Sequence, residues 1–170
     1  MRRIFLFAVC TLTISMVTYA QKGNNQVGIG PDVYFPLKSL GDAYGVGIGG
    51  HVKGLYGVGT AGHAVLRIGY VSFNGKSDTY YKDYKFVSIP FLAGYRHNFN
   101  SLYVEPKIGF NSSYTKYNGT KYDNQTSFTY AIGGGFEKNG FELSLDFQNI
   151  GLTGQIALRA GVAYNIELGK

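Results

Sequence analysis

Charged side chains of both signs occupy polar positions of a period-two alternation in several segments of this chain. Glu142 and Asp146 lie four residues apart, which would put two carboxylates on one face of a strand. Two carboxylates could do general acid–base chemistry if their surroundings separated their protonation states. They could also be the partners of arginines and lysines at the same alternation, because a buried ion must be paired. We favour ion pairing, since Arg67, Arg96 and Arg159 follow the same alternation.

Other motifs that could carry chemistry do not have the context that the chemistry needs. Residues 57–62 read G-x-G-x-x-G, but a dinucleotide site requires a helix immediately after the glycines, and here a strand pattern follows. His51, His63 and His97 are scattered singly, without the spacing of metal ligands, and none has a nearby serine. The sequence therefore predicts no catalytic, cofactor-binding or metal-binding residues, and we expect that the protein is not an enzyme.

The elements that must position these side chains are strands. From about residue 25 onward apolar and polar residues alternate with period two, and glycine, asparagine, aspartate and serine clusters separate the segments. We find no segment with the period of a helix. The alternation predicts eight strands, at about residues 26–37, 43–54, 62–73, 85–99, 101–115, 126–137, 140–149 and 155–168.

The N-terminal segment has the pattern of a secretory signal. Arg2 and Arg3 precede an apolar stretch at residues 4–17, and Thr18-Tyr19-Ala20 predicts cleavage before Gln21. Residues 1–20 would then be a signal peptide and residues 21–170 a single β-barrel domain. Cleavage would remove Cys10, the one cysteine of the chain, and would lower the formal charge from +6 to +4 with the loss of two arginines. This mild charge is not typical of a nucleic-acid-binding protein.

Alternation alone does not say which face is inside, so a soluble barrel or sandwich is the alternative to a membrane barrel. Three features favour the membrane barrel: charges of both signs on the polar face, glycines on that same face, and short turns alternating with longer loops near residues 74–84 and 116–125. Asp32 is a further charge on the polar face. The predicted barrel-interior ion-pair network contains Lys53, Arg67, Arg96, Glu105, Lys107, Glu137, Glu142, Asp146, Arg159 and Glu167. The fold class predicted is all-β, an eight-stranded antiparallel up-and-down transmembrane β-barrel.

Several strand motifs resemble a known family. Residues 27–30 (VGIG), 89–95 (IPFLAGY), 103–109 (YVEPKIG), 130–137 (YAIGGGFE) and 158–164 (LRAGVAY) look like strands of the small eight-stranded outer-membrane β-barrel proteins of Gram-negative bacteria, of the Bacteroidetes type often labelled porin-like. The resemblance covers nearly all of residues 25–168. It implies an outer-membrane location, contact with outer-membrane lipid and lipopolysaccharide, and insertion by the barrel-assembly machinery. It implies no cofactor and no nucleic-acid partner.

The two longer loops carry the side chains best suited to contact a partner. Tyrosine offers contact area at low entropic cost and lysine can pair with phosphate. The candidate contact residues are Lys76, Tyr80, Tyr81, Lys82, Lys116, Tyr117, Lys121 and Tyr122. We expect a non-enzymatic protein that acts in envelope structure or in surface interaction through these loops. The alternatives are a narrow porin-like channel for small solutes and a lipid-modifying outer-membrane enzyme.

Overall fold

A closed antiparallel barrel accounts for almost the whole described chain. The computed structural model describes residues 25–59, 61–150 and 155–168, so the predicted signal peptide lies outside the described residues. Each strand pairs with its neighbours in the chain, and the last strand closes the barrel on the first. The elements are β1 (Gln26–Leu37), α1 (Lys38–Ala43), β2 (Tyr44–Val58), β3 (Gly62–Gly75), β4 (Tyr84–Phe99), β5 (Leu102–Tyr117), β6 (Thr120–Lys138), β7 (Phe141–Asn149) and β8 (Ile156–Glu167).

Apolar and polar side chains alternate along the strands, and their placement is the reverse of that in a soluble barrel. Apolar side chains face outward and charged side chains face inward. Outward-facing apolar side chains are widely exposed, with Ile48 70% exposed and Ile132 63%. Inward-facing Arg67 and Arg96 are each 1% exposed. Large apolar side chains toward the surroundings and charges toward the centre suit a barrel that meets hydrocarbon. In the described ranges, no helix is long and apolar enough to span a bilayer.

The two ends of the barrel differ. We call the end where β1 begins and β8 finishes the termini end; its connections are residues 59–61, 100–101 and 139–140. At the opposite end, which we call the loop end, lie α1, loop 76–83, the turn at Asn118 and Gly119, and the connection from β7 to β8. Residues 151–154 of that last connection are outside the described ranges.

The predicted long loop at residues 116–125 is wrong, because the structure has a β-hairpin there. Asn118 and Gly119 both have left-handed backbones, with φ values of 47° and 83°. Two such residues form the type I′ turn, whose twist matches that of the flanking strands. Tyr117 therefore pairs with Thr120, and β6 begins at Thr120 and not near residue 126.

The first connection at the loop end is a short helix, which the period-two pattern does not predict. Residues 38–43 are too few to show a helical period. Leu40 of this helix is only 2% exposed, because it turns inward over the mouth of the barrel. There it joins a cluster of buried side chains, which we call the apolar plug: Tyr34, Leu40, Tyr44, Val71, Phe73, Phe86, Ile150 and Ala157.

Glycines on the inner face leave the space that long side chains fill. A Cβ atom added at Gly47 would lie 2.6 Å from Cδ1 of Phe73, closer than real Cβ atoms approach other heavy atoms. A Cβ atom at Gly161 would lie 2.5 Å from Oδ1 of Asp32. Glycine at these two positions allows an aromatic ring and an ion pair to fit inside a barrel of eight strands.

The outward apolar belt predicts a position-dependent cost of charge. Ile132 lies midway along the apolar outward run of β6, so Ile132→Lys should lower the free energy of unfolding by about 2–4 kcal/mol. Thr120→Lys, at the exposed tip of the β5–β6 hairpin, should change the free energy by less than about 1 kcal/mol. The free energy of unfolding of each variant is measured by urea titration in lipid vesicles, and the folded fraction is read from gel mobility without boiling. Equal costs would contradict the assignment of the outer face to lipid.

Candidate functional site

Charged side chains meet inside the barrel around Arg96. The guanidinium of Arg96 donates to Glu105 at 2.7 Å, to Glu137 at 2.8 Å and to Glu142 at 3.1 Å. Its Cζ atom also lies 3.6 Å from the centroid of the Tyr103 ring. Because guanidinium presents five donors in a rigid fork, one arginine can hold three carboxylates from three strands.

Glu142 is the acid that most groups approach in this half of the interior. Lys53 forms an ion pair with it, Tyr103 donates its hydroxyl to Oε1 at 2.6 Å, and the side-chain amide of Asn165 donates to Oε2 at 3.0 Å. The side chain of Glu142 is 1% exposed, so protein groups take the place of its hydration shell.

A second group of charges surrounds Asp32 and Asp146, nearer the loop end. Arg159 bridges these two acids, with Nη1 2.5 Å from Asp32 and Nε 2.5 Å from Asp146. Arg67 donates to Asp32 at 2.6 Å and to the hydroxyl of Tyr34 at 3.1 Å. The ring nitrogen Nδ1 of His51 lies 3.0 Å from both carboxylate oxygens of Asp32.

Lys107 joins the two groups into one network. Its ammonium lies 2.5 Å from Glu105 and 2.9 Å from Asp146. The network also balances, since the five cations equal the five acids in number: Lys53, Arg67, Arg96, Lys107 and Arg159 against Asp32, Glu105, Glu137, Glu142 and Asp146. Every strand of the barrel contributes at least one of these ten side chains. The network therefore ties all strands together at no net charge.

Ten of the eleven charged residues singled out on the polar face lie in this network. Glu167 does not, and its place in the predicted network is wrong. It is the last residue of β8, pairs with no charged residue and is exposed to solvent at the termini end, because the strand ends there and the barrel mouth is open. The sequence pattern did not identify His51, Tyr34 and Tyr103 as network members, although all three follow the alternation of the charges.

The three histidines lie in different surroundings. His51 is 4% exposed and its ring nitrogen Nδ1 faces Asp32. His63 lies near Asn98 at the termini end, and His97 lies outward beside the ring of Phe99. Among the described residues, no group of three or more histidine, cysteine, aspartate or glutamate side chains could hold a metal ion. Gly57 lies at the end of β2 and Gly62 at the start of β3, so these glycines flank a connection between two strands and no helix follows them.

The candidate contact residues lie at the loop end, where tyrosine rings connect loop 76–83 to the β5–β6 hairpin. Tyr81 is 5.7 Å from Tyr44 and 5.9 Å from Tyr84, measured between ring centroids, and Tyr84 stacks on Tyr117 at 4.7 Å. Tyr80 is 83% exposed and also approaches Tyr84. The exposed members of the predicted set are Lys76, Tyr80, Tyr81, Lys82, Tyr117, Lys121 and Tyr122, and Lys116 is half-buried.

The network predicts a large difference between two glutamates of the same chain. Glu142→Gln should lower the free energy of unfolding by about 3–5 kcal/mol, because Lys53 and Arg96 would lose a buried counter-charge. Glu167→Gln, the matched control, should change it by no more than about 0.5 kcal/mol. Urea titration of both variants in lipid vesicles makes the comparison. If both variants unfolded like the parent, the interior pairing could not be what stabilises the barrel.

No protein-family model matches the chain, and no curated protein sequence matches it significantly. Similar solved structures do exist. Ail, the attachment invasion locus protein of Yersinia pestis, solved in complex with the heparin analogue sucrose octasulfate, superposes with a TM-score of 0.64 at 16% identity, over 86% of this chain and 100% of Ail. Neisserial surface protein A gives a TM-score of 0.57 at 13% identity, over 85% of this chain and 97% of its own.

The N-terminal β-barrel domain of Pseudomonas aeruginosa OprF gives a TM-score of 0.50 at 18% identity, over 85% of this chain and 100% of that domain. Identities this low show the fold alone. The fold agrees with the outward apolar belt and the charged interior described above. The chain therefore has the fold of the small eight-stranded outer-membrane β-barrels of Gram-negative bacteria, which confirms the predicted fold class and agrees with the predicted outer-membrane location.

Proposed function

We propose that this protein is a non-enzymatic outer-membrane barrel that acts at the cell surface, in envelope structure or surface interaction, with its loop end outside and its termini end in the periplasm. The observation that carries the proposal is the filled interior. An eight-stranded barrel has room for little more than its own side chains. Here paired charges and the apolar plug occupy that room, while the exposed aromatic and basic side chains lie at the loop end.

Two cavities mark the mouths of the barrel. At the termini end a cavity of 530 Å³ lies among Gln26, Asn98 and Glu137, and at the loop end one of 310 Å³ lies beside Leu40 and Tyr44. Between the mouths the inward side chains have almost no exposure: Leu92 0%, Arg67 1% and Phe73 0%. This arrangement supports a barrel that holds water at both ends and conducts no solute between them.

The charges at the loop end support contact with anionic partners. Six lysines accompany four aspartates there: Lys38, Lys76, Lys82, Lys85, Lys116 and Lys121 against Asp42, Asp78, Asp83 and Asp123. The fold neighbour Ail has been solved with a heparin analogue, which makes a sulfated glycan a suitable first probe for this chain. Lipopolysaccharide, whose phosphates lysine can pair with, is the second partner class that we propose.

The filled interior predicts no conductance. Purified protein inserted into planar lipid bilayers should produce no current steps, because neither ions nor small solutes have a path past Leu92, Arg67 and Phe73. Retention of compact gel mobility before boiling serves as the folding control. Regular current steps from the folded protein would replace our proposal with the narrow channel, and a changed lipid A mass on expression would favour the lipid-modifying enzyme.

If loop 76–83 contacts the partner, its replacement should abolish binding at the cell surface without unfolding the barrel. Cells that display the parent protein should bind fluorescent heparin, and replacement of residues 76–83 by a glycine–serine segment of equal length should reduce binding to the level of cells without the protein. The replacement removes two lysines and two exposed tyrosines but leaves the barrel unchanged. Ser101→Ala in a turn at the termini end is the control. Undiminished heparin binding by the loop variant would refute a role of this loop.

A further inference from the structure

Three lysines from three neighbouring strands are paired with one another in register, at the same level of the barrel wall. Lys85 of β4 is directly opposite Lys116 of β5, and Lys116 is directly opposite Lys121 of β6. Adjacent strands are about 4.8 Å apart, so the three side chains start within about 10 Å of one another. On the other side of Lys85 the register places Asn74 of β3, which is uncharged. We call Lys85, Lys116 and Lys121 the lysine row.

The lysine row lies on the outer wall of the barrel. On β4 the buried Phe86 and Ser88 face inward. Lys85 is an odd number of residues away from both, so it faces outward, as Phe91 does. On β5 the inward positions include Asn111 and Ser113, so Lys116 shares the outward parity of Phe110. Lys121 pairs with Lys116 and lies on the same face. The row therefore faces the surroundings of the barrel and not its interior.

The height of the row places it just beyond the apolar belt. On β4 the positions on the same face as Lys85 are the apolar Val87, Ile89 and Phe91, so the apolar run begins two residues from Lys85. Two residues rise about 7 Å along a strand, which is about 5 Å along the axis of a barrel whose strands tilt by about 40°, and the headgroup layer is about 5–7 Å thick. That height corresponds to the headgroup region of a bilayer, given the orientation with the loop end outside, on which this inference rests.

The fold does not compensate these three charges. Like charges directly opposite each other on neighbouring strands destabilise a sheet. Among the described residues, none of the three lysines forms an ion pair, in contrast to Lys53 and Lys107 of the interior. The ring of Tyr114 holds two of the ammonium groups near one another, with Nζ of Lys116 at 5.6 Å and Nζ of Lys121 at 4.6 Å from its centroid.

A groove beside the row offers space for an anionic group. It measures 570 Å³ and lies between loop 76–83 and the turn of the β5–β6 hairpin. Lys82, Lys85 and Lys116 line it together with Asn74, Asn118 and one acid, Asp83. Three ammonium groups and two amides in one groove suit an anion with several acceptor oxygens.

We propose that the lysine row is a binding site for the phosphates of a lipid headgroup, as found in the lipopolysaccharide of the outer leaflet. A lipid phosphate fits better than a soluble polyanion because the row faces sideways from the outer wall, at the level of the headgroups. A bound phosphate would offset the repulsion among three cations that the fold leaves unpaired. Binding at this site anchors the loop end of the barrel to the surrounding lipid.

The test compares two triple variants of equal charge. Lys85→Gln/Lys116→Gln/Lys121→Gln removes the row, and Lys22→Gln/Lys138→Gln/Lys170→Gln removes three lysines from other parts of the chain. Binding of fluorescent lipopolysaccharide to each protein in nanodiscs is measured beside the same lipopolysaccharide after removal of its lipid A phosphates. Each lysine near an anionic surface contributes about a factor of five, so the row variant should bind about a hundredfold more weakly. The parent should bind the dephosphorylated lipid as weakly.

Each other outcome overturns the site. Equal loss in both triple variants would mean general charge attraction, and undiminished binding of the dephosphorylated lipid would exclude phosphate recognition. Loss of heparin binding with lipopolysaccharide binding intact would assign the row to a soluble glycan. The shift in gel mobility on boiling verifies folding, and Lys116→Gln alone, with an expected fivefold loss, serves if the triple variant does not fold. The conductance and the effect of replacing loop 76–83 are measured separately, so that failure of this site is distinguishable from failure of the proposed function.

Discussion

Mutual neutralisation of charges inside a membrane barrel is the constraint on which the rest of this structure depends. Ten ionised groups sit inside a wall that faces hydrocarbon, where an unpaired ion costs several kcal/mol. Five cations and five acids satisfy the constraint without an ion from solvent. Because each strand supplies at least one of them, a shift in the register of any strand would separate a charge from its partner. The network thus helps to define the register as well as to stabilise it.

The same requirement leaves little space for transport. Long side chains such as Arg96 and Arg159 fill the middle of the barrel, and glycines such as Gly161 allow them to fit. Nearer the loop end, the apolar plug fills the interior in place of ion pairs. Leu40 of α1, in the connection between β1 and β2, is part of this plug. A barrel filled in this way has its accessible chemistry on its outer wall and at its ends, which is where the proposed functions lie.

The sequence was a good guide to the members of the interior network and a poor guide to the ends of the strands. The alternation, together with the apolar residues on the opposite face of each strand, predicts that Lys53, Glu105 and Asp146 share a face. At strand ends the alternation no longer predicts whether a side chain is buried. Glu167 has the correct parity but lies in water, and residues 116–125 look like a polar loop although a type I′ turn continues the hairpin through them. The apolar plug was also hidden, since Val71 and Phe73 resemble lipid-facing residues in composition.

The sequence by itself determined the class of fold, the number of strands and which face carries the charges, because these depend on local period and on composition. Tertiary structure decided which charges meet, since pairing depends on register between strands that are far apart in the chain. Lys85 shows the difference most clearly. In the sequence it is one lysine at the start of a strand, 31 residues from Lys116 and 36 from Lys121 (116 − 85 and 121 − 85). Only the hydrogen-bonded register of β4, β5 and β6 places the three side by side, where their unpaired charges can act on one ligand.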